Sequence, residues 1–171
     1  MALMEILTLG AKILKKKAET VEEMTEDIKK LAASMVETMH GAPGIGLAAP
    51  QVGQSLRLIT VDLSVGRNPD ELIVLINPEI VESEGEVLDV EGCLSVPGVN
   101  EKVLRPARVV VRGLDAEGRE KIIKATDYTA RALCHEIDHL EGKLFIDYLS
   151  PLKRQLIKSK FRKEKEKGTQ A

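Results

Sequence analysis

The spacing of hydrophobic residues predicts a helix early in the chain and a series of strands after it. Between residues 25 and 39, apolar side chains recur at steps of three and four, which places them on one helical face, and Gly41 ends the pattern. Alternating or β-branched runs predict strands at 56–62, 72–76, 80–81 and 87–90. Residues 6–14, before the helix, have no such pattern and are predicted to be irregular or briefly extended.

A hairpin and a second helix are predicted in the second half of the chain. Residues 108–114 and 120–125 flank a loop that contains Gly118, as in a β-hairpin. The helix that follows begins at Asp127 or Thr129 and ends at Gly142. We therefore expect an α+β fold, in which short antiparallel strands pack around one central helix, with an N-terminal helix and a basic C-terminal helix or tail.

Composition narrows the class of protein. A chain of 171 residues with 43% hydrophobic and 30% charged residues is typical of one globular domain, which we assign to residues 1–150. Two cysteines and the lack of a basic-then-apolar leader argue for a reducing, cytoplasmic location. The net charge of −2 conceals a basic tail at 151–171, where eight Lys or Arg face two Glu. No membrane or DNA partner is expected.

The second predicted helix carries the clearest candidate chemistry. His135 and His139 stand four apart, so both imidazoles lie on one helical face and can bind one metal ion. Glu136 between them is positioned to reach a metal-bound water, as in the H-E-x-x-H motif of metal hydrolases. The alternative is that these are ordinary helix residues, because so short a motif also arises by chance.

A third metal ligand has to come from elsewhere in the chain. Phe145 stands where the longer zincin pattern would have a third histidine. Of the remaining soft ligands, Cys134 points about 100° away from its neighbour His135 on the helix, and His40 is most simply a helix-end cation or a turn residue. Cys93 lies in a glycine- and proline-bounded segment that can present its side chain, so we predict Cys93 as the ligand, against the alternative of a small buried hydrophobic residue.

Residues 41–53 form a loop rich in glycine and proline. A dinucleotide-binding loop is excluded, because a helix precedes it and Pro50 interrupts the helix that should follow. Gly44 and Gly46 leave the backbone open to an extended ligand, and the Gln51 amide is a donor suited to a developing oxyanion. A purely structural turn is the alternative.

Three motifs together resemble those of the bacterial peptide deformylases, in the same order and spacing: GIGLAAPQ at 44–51, EGCLS at 91–95 and HEIDH at 135–139. The resemblance spans nearly all of residues 6–149. It implies one divalent metal ion, natively Fe(II) with Zn, Ni or Co as substitutes, bound by Cys93, His135, His139 and a water. It also implies removal of the formyl group from the N-terminal formylmethionine of newly made polypeptides, with release of formate.

The resemblance implies a role for each remaining motif residue. A metal-bound hydroxide attacks the formyl carbon, and Glu136 acts as the acid and base. The Gln51 amide and the backbone N–H of Leu94 hold the oxyanion. The substrate backbone pairs with the edge at Gly44 and Gly46, and the methionine side chain enters an apolar pocket.

The walls of that pocket are predicted from position. Ile45, Ala132 and the stem of Arg131 are the candidates, since Arg131 and Ala132 precede His135 by four and three residues and share its helical face.

Supporting residues follow from the same resemblance. Glu91 is expected to pair with Arg105 and so hold the Cys93 segment, with an ordinary surface ion pair as the alternative. Asp138 is expected to orient the site or to cap a local network. Two positions depart from the family pattern: Cys134 stands where many members have glutamine, and Gly10 replaces a proline near the N-terminus.

Two other classes of protein and one further partner remain. A zincin-type peptidase is disfavoured by Phe145 and by the presence of Cys93, and a non-catalytic relative is disfavoured by intact Cys93, Glu136 and Gln51. The basic tail at 151–171 is either a solvated end or an electrostatic docking segment for the ribosome.

Overall fold

The computed structural model describes residues 3–169, and of 165–169 only the backbone. Within these residues the helices are α1 (Glu26–Gly41), α2 (Asp127–Leu140) and α3 (Pro151–Thr169). The strands are β1 (Gly46–Ala48), β2 (Leu58–Val61), β3 (Ile73–Glu84), β4 (Val87–Cys93), β5 (Val96–Arg105), β6 (Arg108–Leu114) and β7 (Glu120–Thr126). Short 3-10 turns cover Lys12–Lys15, Ala49–Val52, Pro69–Glu71 and Phe145–Tyr148. The predicted α+β class is confirmed.

The strands form two antiparallel sheets. One has five strands in the order β1-β2-β3-β6-β7, and the other consists of β4 and β5 alone. Helix α2 packs its apolar residues against the five-stranded sheet, where Leu133 and Leu140 meet Ile59 and Leu75 in one buried cluster. The two-stranded sheet packs separately, around Val103 and Phe145. The functional residues of α2 therefore face the seam between the two sheets.

Helix α1 forms as its periodicity predicts. The Thr25 side chain caps its first turn by accepting a hydrogen bond from the Ile28 N–H at 3.3 Å. Met35 and Met39, one turn apart, are fully buried against the other face of the large sheet. The helix thus fixes the start of the glycine-rich loop that leads into β1.

The strand predictions are wrong in two respects. The runs at 72–76 and 80–81 belong to one strand, β3, which is 12 residues long and shifts register between Ile76 and Glu79. Asn77 at φ 53° and the following proline break the alternation there, so the sequence looks like two short strands. Strand β5, 10 residues long, was not predicted at all, and neither was β1. The strands are therefore not uniformly short.

Smaller differences concern the ends of elements. The run at 56–62 is a strand only over β2, and the N-terminal stretch contains the 3-10 turn Lys12–Lys15. His40 is more than a helix-end cation, because its Nε2 lies 2.7 Å from Oδ2 of Asp62. Burial alone would raise the pKa of Asp62, but hydrogen bonds from Ser64, His40 and Gly66 lower it below its usual value.

None of the helices within residues 3–169 combines the length and the apolar character that crossing a bilayer requires.

Candidate metal centre

The three predicted metal ligands come together at the seam between α2 and β4. His135 and His139 lie one turn apart on α2, with their Nε2 atoms 3.3 Å from each other. Cys93, the last residue of β4, places its Sγ 3.4 Å from Nε2 of His139. A tetrahedral ion with ordinary bonds to nitrogen and sulfur separates its ligand atoms by about 3.3–3.6 Å. The donor set therefore fits one metal ion.

Burial gives this cluster a low-dielectric setting. His135 is 6% exposed and His139 is 1% exposed, while Cys93 is half-buried. All three donor atoms lie within 4.8 Å of one another. A thiolate and two imidazoles leave one tetrahedral position free for a water or a substrate oxygen, which is the pattern of catalytic rather than structural sites.

Glu91 of β4 fixes the orientation of His135. The Nδ1–H of His135 donates to Glu91 Oε1 at 2.6 Å, which leaves the lone pair on Nε2 facing the cluster. Arg105 of β5 binds the same carboxylate with two donors, Nε at 2.7 Å and Nη2 at 2.9 Å. Burial would raise the pKa of Glu91, but the bonds and charges of Arg105 and His135 outweigh it and lower that pKa to about 2. The pair is buried, so it is not a surface ion pair.

Asp138 takes part in this network through Arg105. Its Oδ2 accepts from Arg105 Nη1 at 2.5 Å and from the Tyr148 hydroxyl at 2.7 Å. The Tyr148 ring also lies under the Arg105 guanidinium, 4.9 Å away. Sequence reasoning missed Tyr148, because its partners are separated from it along the chain and no periodic pattern connects them.

Glu136 reaches the cluster from α2. One carboxylate oxygen lies 4.0 Å from Nε2 of His135 and the other lies 4.0 Å from Nε2 of His139. Within the described residues, the buried Oε1 has no hydrogen-bond partner, so it is aimed into the space where a bound group would sit. Burial raises the pKa of Glu136 to about 7. A carboxyl group of this kind can take up and release a proton near neutral pH.

The glycine-rich loop lies directly against this carboxylate. A Cβ at Gly46 would overlap Oε2 of Glu136, and a Cβ at Gly44 would crowd the Leu94 side chain at 2.6 Å. Neither glycine has a positive φ, so the requirement is for space rather than for an unusual backbone. The two glycines therefore bring the backbone of β1 close to the centre.

Gln51 presents its amide to the centre in one fixed orientation. Its Oε1 accepts from the Ala48 N–H at 2.9 Å, and its Nε2 donates to Ser95 Oγ at 3.0 Å and approaches Cys93 Sγ at 3.7 Å. The side chain is 1% exposed. The NH₂ group thus points towards the Cys93 thiol. Leu94 is the next residue in the chain after Cys93.

A cavity of about 450 Å³ opens from the centre to the surface. The predicted pocket residues Gly44, Ile45, Gly46, Arg131 and Ala132 all line it, together with His135 and Glu136. Val90 and Tyr128 line it as well and were missed. Tyr128 could have been found, because it precedes Arg131 by three residues and so shares its helical face.

Cys134 lies away from the centre. It is 4% exposed in the core cluster between α2 and the large sheet, as its position on the helix predicts. Burial raises the pKa of its thiol to about 11, which keeps the sulfur protonated.

Comparison with known proteins gives a consistent result. The family model described as polypeptide deformylase matches residues 3–155. The peptide deformylase of Thermodesulfovibrio yellowstonii is 56% identical over 165 residues, which cover 96% of this chain and 100% of the relative. That of Syntrophobacter fumaroxidans is 52% identical over 169 residues, which cover 99% of each chain.

Solved structures show the same fold. The crystal structure of a peptide deformylase from Legionella pneumophila superposes with a TM-score of 0.92 at 45% identity, over 99% of both chains. That of the Ehrlichia chaffeensis peptide deformylase in complex with actinonin gives 0.89 at 41% identity, over 96% of this chain and 98% of that one. The resemblance predicted from the three motifs is confirmed, and the chain belongs to the polypeptide deformylase family, whose members are hydrolases that remove formyl groups from new polypeptides.

Proposed function

We propose that this chain hydrolyses the formyl amide of N-terminal formylmethionine on newly made polypeptides, and releases formate and a free α-amino group. The observation that carries the proposal is the position of Glu136. Its buried carboxylate oxygen Oε1, which has no hydrogen-bond partner among the residues that the structure describes, lies beside three donor atoms that fit one metal ion, in a cavity of about 450 Å³. Amide hydrolysis requires a polarised carbonyl, an activated water and a proton for the leaving nitrogen, and these groups can supply all three.

His135 and His139 of α2 and Cys93 of β4 would hold the metal ion between the helix and the hairpin. Two imidazoles and a thiolate suit borderline-soft divalent ions. The resemblance to the deformylases implies Fe(II) as the native ion, with Zn, Ni or Co as substitutes. When bound, the ion supplies Lewis acidity, which polarises the formyl oxygen and makes a water molecule acidic.

Glu136 carries the protons in this scheme. Its carboxylate accepts a proton from the attacking water, whose oxygen bonds to the formyl carbon. The same proton is then delivered to the amide nitrogen as the carbon–nitrogen bond breaks. Burial raises the pKa of Glu136, which favours its uptake of the proton from the water.

Gln51 and Leu94 would stabilise the negative charge that develops on the formyl oxygen. The Gln51 amide is already held by Ala48 and Ser95, so it needs no reorganisation when the charge forms. The backbone N–H of Leu94 would act as the second donor. Preorganised donors of this type each contribute about 3 kcal/mol to transition-state stabilisation.

The substrate would lie between the glycine-rich loop and α2. Its backbone would extend along Gly44 and Gly46, where added side chains would collide with Leu94 and Glu136. The methionine side chain would enter the cavity between Ile45, Ala132 and the stem of Arg131. Because backbone pairing is independent of side chains, residues after the methionine can vary.

Glu91, Arg105 and Asp138 would support the centre through a chain of hydrogen bonds. Glu91 keeps the Nδ1–H of His135 occupied, Arg105 holds Glu91, and Asp138 holds Arg105. Such outer partners orient a ligand and raise its basicity.

The proposed substrate indicates a cellular compartment and a second partner, the ribosome. Newly made chains are found in the cytoplasm at the ribosome, so we infer a cytoplasmic enzyme. Residues 1–150 would form the catalytic domain, and the basic segment 151–171 would attract ribosomal RNA through its net positive charge.

The Glu136→Ala variant tests the role of the carboxylate. Protein loaded with Fe(II) without oxygen is assayed for formate release from formyl-Met-Ala-Ser, beside Glu117→Ala, a control at a glutamate in the exposed turn between β6 and β7. We expect Glu136→Ala to lower kcat by about 10²–10⁴-fold with unchanged metal content, and Glu117→Ala to match the wild type. Wild-type kcat in fully metallated Glu136→Ala protein would overturn the assignment.

A further inference from the structure

Two side chains of α2 line the cavity and bind the β4–β5 hairpin. Tyr128 and Arg131 are three residues apart and project from the same face of the helix. Both line the cavity, and both bind Asp89 of β4. Tyr128 bonds to the Asp89 side chain, and Arg131 bonds to the Asp89 carbonyl oxygen. We call Tyr128, Arg131 and Asp89 the clasp.

Arg131 uses its guanidinium to hold both strands of the hairpin. Nη2 donates to the Val87 carbonyl at 2.7 Å, and Nη1 donates to the Val103 carbonyl at 2.8 Å. Nη1 also reaches the Asp89 carbonyl at 3.3 Å and the Glu91 carboxylate at 2.8 Å. The side chain is 7% exposed, so these bonds are shielded from water. A planar group with five donors can make this set of bonds, whereas a lysine ammonium cannot.

Tyr128 supplies the other bond of the clasp from the first turn of α2. Its hydroxyl donates to Oδ2 of Asp89 at 2.9 Å, and its ring lines the cavity. The bond is on the protein surface, because Tyr128 is 54% exposed. It is therefore weaker than the bonds of Arg131, but it holds the same strand.

The outer half of the hairpin, residues 87–90 and 102–105, has one fully buried apolar side chain, Val103, which is 1% exposed. Val90, which faces the cavity, is 48% exposed, and its neighbours Leu88 and Leu104 are 59% and 51% exposed. With most of its apolar side chains half-exposed, this part of the strand pair gains limited free energy from burial, so polar bonds to α2 contribute to holding it in place. The inner half of the hairpin, residues 91–96, does not depend on Arg131 in the same way. Arg105 binds Glu91 there independently of Arg131.

We propose that the clasp positions the β4 wall of the cavity and thereby determines which side chains the cavity accepts. Tyr128 and Arg131 are positioning residues: they act through Val90 and the hairpin rather than on the reacting atoms. This inference rests on the proposed function, since it concerns the side chain of the formylated residue. It assigns the Arg131 guanidinium, rather than its stem alone, to substrate selection.

Kinetics of clasp variants test this inference. Arg131→Met keeps the stem and removes the donors, Arg131→Lys keeps the charge without the fork, and Tyr128→Phe removes one hydroxyl. Arg112→Met on β6, where the arginine is half-exposed and paired with Glu79, is the matched control. Each Fe(II)-loaded protein is assayed with formyl-Met-Ala-Ser and formyl-Phe-Ala-Ser.

We expect Arg131→Met to raise KM for the methionine peptide about tenfold, to keep kcat within about twofold and to lower the preference for methionine over phenylalanine about tenfold. Tyr128→Phe should shift both quantities in the same direction by less, and Arg131→Lys should lie between these two variants. Arg112→Met should match the wild type. Wild-type KM and preference in the Arg131 variants would overturn the inference, and so would a loss confined to kcat.

A readout independent of activity is amide hydrogen exchange along the hairpin. In Arg131→Met, residues 87–90 and 102–105 should exchange at least about tenfold faster while 91–96 keep wild-type protection; unchanged exchange would contradict the clasp. Should Arg131→Met fail to fold, the Tyr128→Phe variant is the test. Unchanged KM and an unchanged preference for methionine over phenylalanine in that variant would overturn the inference. If correctly metallated wild-type protein is inactive, the proposed function is contradicted. The hydrogen-exchange measurement would still test whether the clasp holds the hairpin.

Discussion

The carboxylate of Glu91 accepts a hydrogen bond from His135 Nδ1 at 2.6 Å while Arg105 binds it with two further donors. One acidic residue on β4 thus joins a candidate metal ligand on α2 to an arginine on β5. Cys93 lies two residues further along β4, so the same strand that orients the histidine also delivers the thiol. The geometry of the centre depends on this single strand being held in register against the helix.

Replacing Glu91 by glutamine should weaken metal binding. Glu91→Gln keeps the shape but removes the charge that faces Arg105 and Arg131, and it weakens the acceptor for His135. We expect the affinity for Zn or Co to fall about 10–100-fold, measured by competition with a chelator. Glu82→Gln, at an exposed position on β3, serves as the control, and equal affinities in both variants would argue against a role for the Glu91 charge.

Acid should remove the stabilising contribution of Glu91. Its pKa is lowered from 4.5 to about 2, so the folded protein favours the ionised form and the contribution is complete above pH 4.5. It is then lost as the pH falls from 4.5 towards 2, and amounts at most to about 3 kcal/mol. Urea unfolding of metal-free wild type and Glu91→Gln should give a difference in free energy that shrinks between pH 5 and 3. A difference that stays constant over this range would contradict the assignment.

Gly46→Ala should reduce activity through Glu136. The added methyl group would overlap the Glu136 carboxylate, which must move away from the centre. We expect kcat/KM for formyl-Met-Ala-Ser to fall by about 10²-fold or more without loss of fold. Gly41→Ala is the control, because its methyl group meets only the Leu3 side chain at an ordinary 3.6 Å. Equal activity of the two variants would show that the loop does not need glycine at position 46.

The loop after β2 offers a test of backbone strain. Val65 has φ 54°, a conformation that β-branched residues rarely adopt, and its side chain is 36% exposed. Val65→Asn should raise the free energy of unfolding by about 1 kcal/mol, since asparagine tolerates this region. The same change at Val81, an exposed position on β3, should lower stability, because asparagine is unfavourable in strands. Urea unfolding measures both, and a loss at position 65 would refute the strain.

The sequence predicts the centre better than the sheet that supports it. His135, Glu136 and His139 are found from helical spacing, and Cys93 from the glycine and proline around it. Strand β5 is missed because Pro97 and Gly98 open it and much of its length is polar. Within residues 3–169 it pairs only with β4, so only a few of its residues, Val103 among them, need to be apolar.

Long-range polar contacts account for the other omissions. The bonds of Tyr148 to Asp138 and of Tyr128 to Asp89 join residues whose proximity is set by the packed fold, and no local period encodes them. Arg131 was predicted from helical position as an apolar wall. Its guanidinium instead binds backbone carbonyls. Every residue has a carbonyl, so no sequence pattern indicates these bonds.

We expect the group at Cys93, His135, His139 and Glu136 to remove a formyl group and to cut no peptide bond. The most direct measurement incubates Fe(II)-loaded wild-type protein with formyl-Met-Ala-Ser and determines both formate and the mass of the remaining peptide. We predict one formate per peptide and a full-length Met-Ala-Ser with a free amine. Cleaved peptide, or unchanged substrate with correctly metallated protein, would contradict the account.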